Sequence, residues 1–171
     1  EKLDQLERLA NNYATQNPPG NDASNIRSNS YGETNAGIAA LLMGMASLEP
    51  TNPNRQLWVD SAHKYAKGAF AVNDRIGNQT ISTAVEEGDE LWVYNHGVKN
   101  AAYTLTTIGQ LELAKLYGLS AGIPVGDEFF HNVDRAFATV MKYIDENDLY
   151  TLEQNKPFFG YDEYMLGPEH Q

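Results

Sequence analysis

Apolar residues recur at spacings of three and four along the beginning of the chain, with polar residues between them. This periodicity is typical of an amphipathic helix, and it predicts a first helix over residues 2–16. Its apolar positions are Leu3, Leu6, Leu9, Ala10 and Tyr13. A second helix is predicted from Glu33 to Leu48. Because that segment is apolar nearly all round and rich in small residues, we expect it to be central and closely packed.

Three further helices follow from the same spacing rule, over about residues 57–73, 97–117 and 129–144. The last has a predicted buried stripe of Phe129, Phe130, Val133, Phe137, Val140, Met141 and Ile144. Residues 74–93 are the least helical part, and their acidic run 86–90 is expected to be a solvated loop with a short strand or turn on either side. The chain after Asn147 is expected to be an irregular tail. Pro and Gly loops between helix pairs predict one all-α domain, residues 1–171, of stacked antiparallel helical hairpins.

Composition and charge narrow the range of functions. The net charge of −11 argues against nucleic acid and against anionic membrane surfaces as partners. The longest apolar run, Ala36–Leu48, is too short to cross a bilayer, so no membrane insertion is expected. The absence of cysteine excludes disulfides, thiolate metal sites and a cysteine nucleophile, and it fits an exported bacterial protein. The chain begins at Glu1 rather than methionine, from which we expect processing or trimming.

Two short motifs have the spacing of metal ligands on a helix. Glu128-x-x-His131 has the spacing found in di-iron bundles, and Asp60-x-x-His63 is a comparable element. The additional glutamates that such a site requires have no evident position, so we expect no metal and no other cofactor. His63 and His131 are interpreted as surface or helix-packing residues. Residues 145–148 resemble the start of a calcium loop but lack its glycine and closing glutamate.

Two other segments carry candidate chemistry. Asn95 and His96 stand at the start of the helix predicted over 97–117, and an amide beside an imidazole can hold a carboxylate and remove a proton. Alternatively, Asn95 is the N-cap of that helix and His96 is an exposed first-turn residue. The second segment is the tail over 149–166, whose tyrosines and lysine could face a carbohydrate, or whose rings could form a strap over the helices.

Together these segments resemble the alginate lyase superfamily, in particular the poly(mannuronate) lyases. Asn95-His96 matches the family's Asn-His pair, and residues 148–156 and 161–166 match its second segment. Ser30-Tyr31-Gly32 resembles the stretch that precedes another helix in that family. The resemblance is best over residues 90–166. It implies a partial α/α toroid-like array with an open groove for an acidic polysaccharide, in a secreted or periplasmic bacterial protein.

The resemblance also implies roles in β-elimination at a uronate. Asn95 would hold the carboxylate, His96 would neutralise it or act as base, and Tyr161 would shuttle the proton. The implied substrate-binding residues are Gln154, Lys156, Tyr164, Tyr31 and Lys99. Gln154 stands where the family has an arginine. The alternative is a non-catalytic extracellular binding or self-assembling protein on the same scaffold, which could form a homo-oligomer.

Overall fold

Helices form the framework of the protein. The computed structural model describes residues 1–16, 18–22, 24–27, 30–95 and 97–143. In these residues the α-helices are α1 (Lys2–Gln16), α2 (Gly32–Leu48), α3 (Arg55–Lys67), α4 (Ala101–Ser120) and α5 (Val133–Met141), with a 3-10 turn at Asp127–Phe129. The predicted first and second helices are confirmed, with nearly the predicted bounds. No helix among the described residues is long and apolar enough to span a membrane.

Three β-hairpins lie between α3 and α4, so the prediction of an all-α fold is wrong. Each hairpin is a separate two-stranded antiparallel sheet. The strands are β1 (Asp74–Ile76) paired with β2 (Gln79–Ile81), β3 (Val85–Glu87) paired with β4 (Glu90–Trp92), and β5 (Tyr94–Asn95) paired with β6 (Val98–Lys99). Gly77, Gly88 and Gly97 have positive φ angles in the three turns, a conformation that glycine adopts without steric cost. The protein is therefore a mixed α and β structure.

Helix α2 is the central helix, as its apolar sequence predicts. It packs against α1, α3 and α4. Its Leu42, Met43 and Met45 side chains are essentially inaccessible to solvent. Gly44 lets the ring of Tyr117 in α4 come close, because a Cβ atom at residue 44 would lie 3.3 Å from that ring. Small residues on α2 thus bring neighbouring helices near its axis, and this burial stabilises a helix that has almost no polar face.

The helices do not all pack as antiparallel hairpins, contrary to the prediction. Helices α2 and α3 are antiparallel, because Asn35 near the start of α2 bonds the carbonyl oxygen of Gly68 just after α3. Helices α2 and α4 instead run in the same direction. Gly37 lies against Gln110, and one heptad further along both helices Gly44 lies against Tyr117. Parallel packing is possible here because α3 and the three hairpins carry the chain back between these two helices.

Helix α3 ends at Lys67, well before the predicted end near Asn73. The Thr83 hydroxyl donates to the carbonyl oxygen of Gly68 over 2.7 Å and accepts from the backbone N–H of Ala71 over 3.1 Å. A side chain from the hairpin region thus satisfies the backbone groups that helix continuation would otherwise use. This long-range contact decides where α3 stops.

Helix α5 is shorter than the predicted fifth helix. Asn132 has a left-handed conformation with φ of 60°, which separates the 3-10 turn from α5. The predicted buried stripe is consequently wrong at Phe130, Phe137 and Met141, which are exposed. Its other members within the described residues, Phe129, Val133 and Val140, are buried. The predicted stripe position Ile144 and the predicted irregular tail lie outside the described residues.

Candidate functional site

Asn95 lies in a hairpin directly before α4 and not at the first turn of that helix. The backbone N–H of Asn100 donates to the carbonyl oxygen of Val93 over 3.1 Å and closes the hairpin. Within it, Tyr94 in β5 pairs with Lys99 in β6. A helix beginning at residue 97 is therefore wrong, because residues 94 and 95 pair with residues 98 and 99 instead.

The N-cap of α4 is Asn100. Its side-chain oxygen accepts a hydrogen bond from the backbone N–H of Tyr103 over 2.9 Å, and its carbonyl oxygen accepts one from the Thr104 hydroxyl over 2.8 Å. These bonds satisfy the first turn of the helix, as N-caps do. The interpretation of Asn95 as the helix cap is thus wrong, and its side chain is not used for that purpose.

The side chain of Asn95 is buried, and its amide nitrogen is left unpaired. Only 4% of the residue is exposed, and Nδ2 has no hydrogen-bond partner among the described residues. A buried donor without an acceptor costs about 1–3 kcal/mol, and folded proteins leave few of them. The arrangement suits a donor that is satisfied when a ligand with an acceptor group, such as a carboxylate, binds.

Lys99 belongs to the opposite face of the same hairpin. Paired residues share a face and successive strand residues alternate, so Lys99 lies with Tyr94 and away from Asn95. Its Nζ atom is 2.6 Å from Glu87 Oε2 and 3.4 Å from Glu90 Oε2. The structure therefore does not bring Lys99 and Asn95 to one site, and the ammonium group is engaged in an internal ion pair.

Glu87 is the centre of a polar cluster that joins two hairpins. The Tyr94 hydroxyl donates to Glu87 Oε1 over 2.8 Å, and the Arg27 guanidinium contacts both side chains. The hydrogen bond from Lys99, with those from Arg27 and Tyr94, lowers the pKa of Glu87 to about 2. Burial and the bond to Glu87 raise the pKa of Tyr94 to about 12, so this phenol stays protonated at neutral pH and is a poor general base.

Tyr31 lies beside the hairpin that carries Asn95. The backbone N–H of Ser30 donates to the carbonyl oxygen of Tyr94 over 3.0 Å, which places the start of α2 next to β5. The backbone N–H of Tyr31 donates to the carboxylate of Asp22, whose pKa is raised by burial. The Tyr31 ring is 47% exposed and so accessible to a ligand. Among the predicted substrate-binding residues that the structure describes, Tyr31 directly follows a residue that bonds the strand of Asn95.

The remaining predicted site residues lie outside the described part of the chain. They are His96, Gln154, Lys156, Tyr161 and Tyr164. Their roles stay predictions from the sequence.

The residues of the Glu128-x-x-His131 and Asp60-x-x-His63 motifs do not come together in one site. His63 Nδ1 lies 3.0 Å from Glu128 Oε2, and His131 Nε2 lies 2.8 Å from Asp74 Oδ2. The ring of His63 also meets Phe129 edge to face, with the ring centroids 5.0 Å apart. Among the described residues no group of three or more potential metal ligands is found. Glu128 and His131 thus have different partners and do not share a site.

A groove along α3 is a second candidate site, and the sequence analysis did not predict it. Its volume is about 560 Å³, and its walls are α3, the β1–β2 turn and the loop that leads to the 3-10 turn. Four basic residues line it: Arg55, Lys64, Lys67 and Arg75. The spacing of Lys64 and Lys67 indicates from the sequence that both lie on one face of α3. That Arg75 joins them in the lining depends on how the β1–β2 hairpin folds back on α3.

Comparison of the chain with protein-family models, curated proteins and solved structures gives no match. Function is therefore to be inferred from the chemistry of these sites and from the resemblance of the sequence motifs.

Proposed function

We propose that this protein is a polysaccharide lyase that cleaves a uronate-containing polymer of the alginate or mannuronan type by β-elimination. The observation that supports this most is the buried Asn95 amide, which has no acceptor among the described residues and directly precedes His96 in the sequence. The exposed ring of Tyr31 beside the same hairpin adds a surface for a sugar. Because polyuronates are extracellular polymers, we expect the protein to act in the periplasm or after secretion.

The reaction needs three functions that these residues can supply. The C5 proton of a uronate is weakly acidic while the adjacent carboxylate is ionised, so the site has to offset that charge. Asn95 Nδ2 would donate to the carboxylate, and His96 would neutralise it further or remove the C5 proton. The electron pair then forms the C4–C5 double bond, the C4–O bond breaks, and Tyr161 would pass the proton to the leaving glycosidic oxygen.

The charges around the hairpin restrict which cations can assist. Lys99 already neutralises Glu87 and Glu90 on the opposite face, so its charge is not free to offset a substrate carboxylate near Asn95. In the proposed mechanism this work falls to Asn95, to His96 and to Lys156, the cation nearest Tyr161 in sequence.

The proposal is tested by incubating the protein with alginate, mannuronan and glucuronan and following the ultraviolet absorbance of the unsaturated product. Asn95→Ala and His96→Ala should each lower turnover by about a hundredfold, the usual effect of removing a group that stabilises developing charge. Asn78→Ala, in the exposed turn after β1, is the matched asparagine control and should leave turnover unchanged. Failure of the folded wild-type protein to release product from all three polymers would exclude the lyase function.

A non-catalytic, self-assembling protein is the second candidate. The observation that favours it is a set of strongly exposed leucines near the ends of the parallel helices α2 and α4. Leu48 is 65% exposed, Leu116 61% and Leu119 68%. Because α2 and α4 are parallel, these leucines lie towards the same end of the helix pair, and exposed apolar side chains of this kind are typical of surfaces that become buried on association. Light scattering that shows a monomer at all accessible concentrations would exclude self-assembly.

A further inference from the structure

The groove along α3 contains basic side chains in a strongly acidic protein. Four basic and two acidic side chains line it, a formal charge of +2 in a chain whose net charge is −11. The acidic residues are Asp60 and Glu128. Neither Asn95 nor Tyr31 belongs to the lining, so the groove is separate from the proposed elimination site. Its volume of about 560 Å³ is in the usual range for ligand sites.

In the described part of the chain, the basic groups of this groove form no ion pair with a carboxylate, although the charge of Lys67 helps to lower the pKa of Glu128. Within the described residues, the Lys and Arg side chains that form ion pairs with carboxylates are all elsewhere: Arg27, Lys99, Lys115, Arg135 and Lys142. Lys64 and Arg75 form no such pair, and Lys67 has a 3.4 Å contact to the carbonyl oxygen of Arg75 and a longer-range attraction to Glu128. Arg55 donates through Nε to the carbonyl oxygen of Ala46, and its terminal nitrogens form no ion pair within the described residues. The concentration of unpaired cations here indicates an anionic ligand.

The spacing of the charges indicates an extended ligand. Arg55 and Lys67 are at opposite ends of α3, about 18 Å apart at the helical rise per residue. A single compact anion cannot contact both. Between them lie acceptors as well as donors, since Asp60 is exposed on α3 and Glu128 faces His63. The bond from His63 holds the pKa of Glu128 below its ordinary value, so this carboxylate is ionised at neutral pH and can accept from hydroxyl groups.

We infer that the groove along α3 binds an extended acidic polysaccharide, with Arg55, Lys64, Lys67 and Arg75 contacting carboxylates and with Asp60 and Glu128 accepting from sugar hydroxyls. Such a polymer carries sparse negative charges and many hydroxyl donors, which matches the mixed lining. A nucleic acid matches it poorly, because its charge is far denser and because no Phe, Tyr or Trp side chain lines the groove as a platform for base stacking.

This site would hold the polymer away from the hairpin of Asn95. The choice of a polyuronate as the ligand rests on the proposed function, whereas the site itself rests on the geometry and charge of the groove. Most of these basic groups are exposed or half-buried, so their attraction is screened by salt, and we expect affinity to fall as ionic strength rises.

The test measures binding of size-defined oligomannuronate by calorimetry at low salt, in the Asn95→Ala background so that no substrate is consumed. Lys64→Ala combined with Arg75→Ala should weaken binding about tenfold, as expected for the loss of two charged contacts. The matched control combines Lys2→Ala with Arg8→Ala on α1, which removes the same charge from two exposed residues that have no ion-pair partner in the described structure. Lys64→Arg with Arg75→Lys keeps the charge and should retain binding.

Equal affinities for the groove variant and the α1 control would overturn the inference. Tighter binding of a single-stranded DNA oligonucleotide than of oligomannuronate would also overturn it, in favour of a nucleic-acid site. The two proposals fail separately. A wild-type protein that releases no unsaturated product but shows the tenfold loss in binding retains the groove and loses the lyase function. A wild-type protein that releases unsaturated product, with a groove variant whose affinity is unchanged, would retain the lyase function and lose the groove site.

Discussion

Lys99 Nζ lies 2.6 Å from Glu87 Oε2, and this ion pair connects the hairpin of Asn95 to the neighbouring β3–β4 hairpin. The β5–β6 hairpin has only two residues in each strand. A hairpin of this size is not stable by itself. The position of the Asn95 amide therefore depends on contacts that the hairpin makes with its surroundings, of which the polar cluster at Glu87 is one.

Replacement of Glu87 by glutamine should destabilise the protein in a pH-dependent manner. At neutral pH we expect a loss of about 1 kcal/mol in the free energy of unfolding, because a half-buried carboxylate loses its charged partners. The folded-state pKa of Glu87 is about 2, below the ordinary value of 4.5. The wild type therefore loses this contribution as the pH falls from about 4.5 towards 2, and the two proteins should converge there.

Urea unfolding at several pH values measures this difference. Glu112→Gln is the matched control, since the Glu112 side chain is 55% exposed on α4 and its pair with Lys115 should contribute less than about 0.5 kcal/mol. A difference between Glu87→Gln and wild type that stays constant from pH 7 to pH 2 would contradict the assigned role of the carboxylate.

Alanine substitution should change the free energy of unfolding little at Asn95 and lower it clearly at Asn100. Asn95→Ala removes a buried donor that has no acceptor in the described structure, so the relieved desolvation cost offsets the lost packing. The free energy of unfolding should change by less than about 0.5 kcal/mol, while lyase turnover falls about a hundredfold. Asn100→Ala removes the N-cap of α4 and should cost about 1–2 kcal/mol. If calorimetry shows the larger loss for Asn95→Ala, its amide has a structural role and is not reserved for a ligand.

Two glycines of the helical framework should also behave in opposite ways. Gly44→Leu places a large side chain where even a Cβ atom would be 3.3 Å from the Tyr117 ring, and overpacking of this kind costs about 1–3 kcal/mol. Gly109 is exposed in the middle of α4 and has no atom near its Cβ position, so Gly109→Ala should stabilise the protein by about 0.5–1 kcal/mol. Similar stabilities for the two variants would show that α2 and α4 are not in close contact at Gly44.

Gln154 stands where the alginate lyases have an arginine, and this difference provides a prediction for the tail. Gln154→Arg should increase affinity for oligomannuronate and raise lyase turnover, because a guanidinium binds a carboxylate with two hydrogen bonds. Lys156→Ala should weaken binding, and Lys2→Ala is its charge-matched control. Unchanged affinity for both tail variants at low salt would mean that the tail has no part in a uronate site.

Local sequence was sufficient where an element depends on residues close to it in the chain. The bounds of α1 and α2 follow from apolar spacing, since that spacing decides which face of a helix can be buried. The β5–β6 hairpin also had a local sign, because Gly97 can adopt the positive φ angle that a tight turn requires. The helical periodicity of the residues that follow nevertheless predicts a helix from residue 97, and this places the start of α4 too early. The same short segment contains Asn95 and His96, which the sequence predicts as candidate site residues.

The sequence by itself determined that the chain forms an amphipathic first helix and a buried second helix, and it identified Asn95 as a residue with chemistry to offer. Only the tertiary structure decided that Lys99 neutralises Glu87 on the other face of the hairpin, and that Arg75 joins the lysines of α3 in one groove. The physical reason is that helical burial repeats with a short period along the chain, whereas burial of a polar group and attraction between charges depend on distances in space. Arg27 and Glu87 are 60 residues apart in sequence and in direct contact in the fold, a relationship that no local pattern specifies.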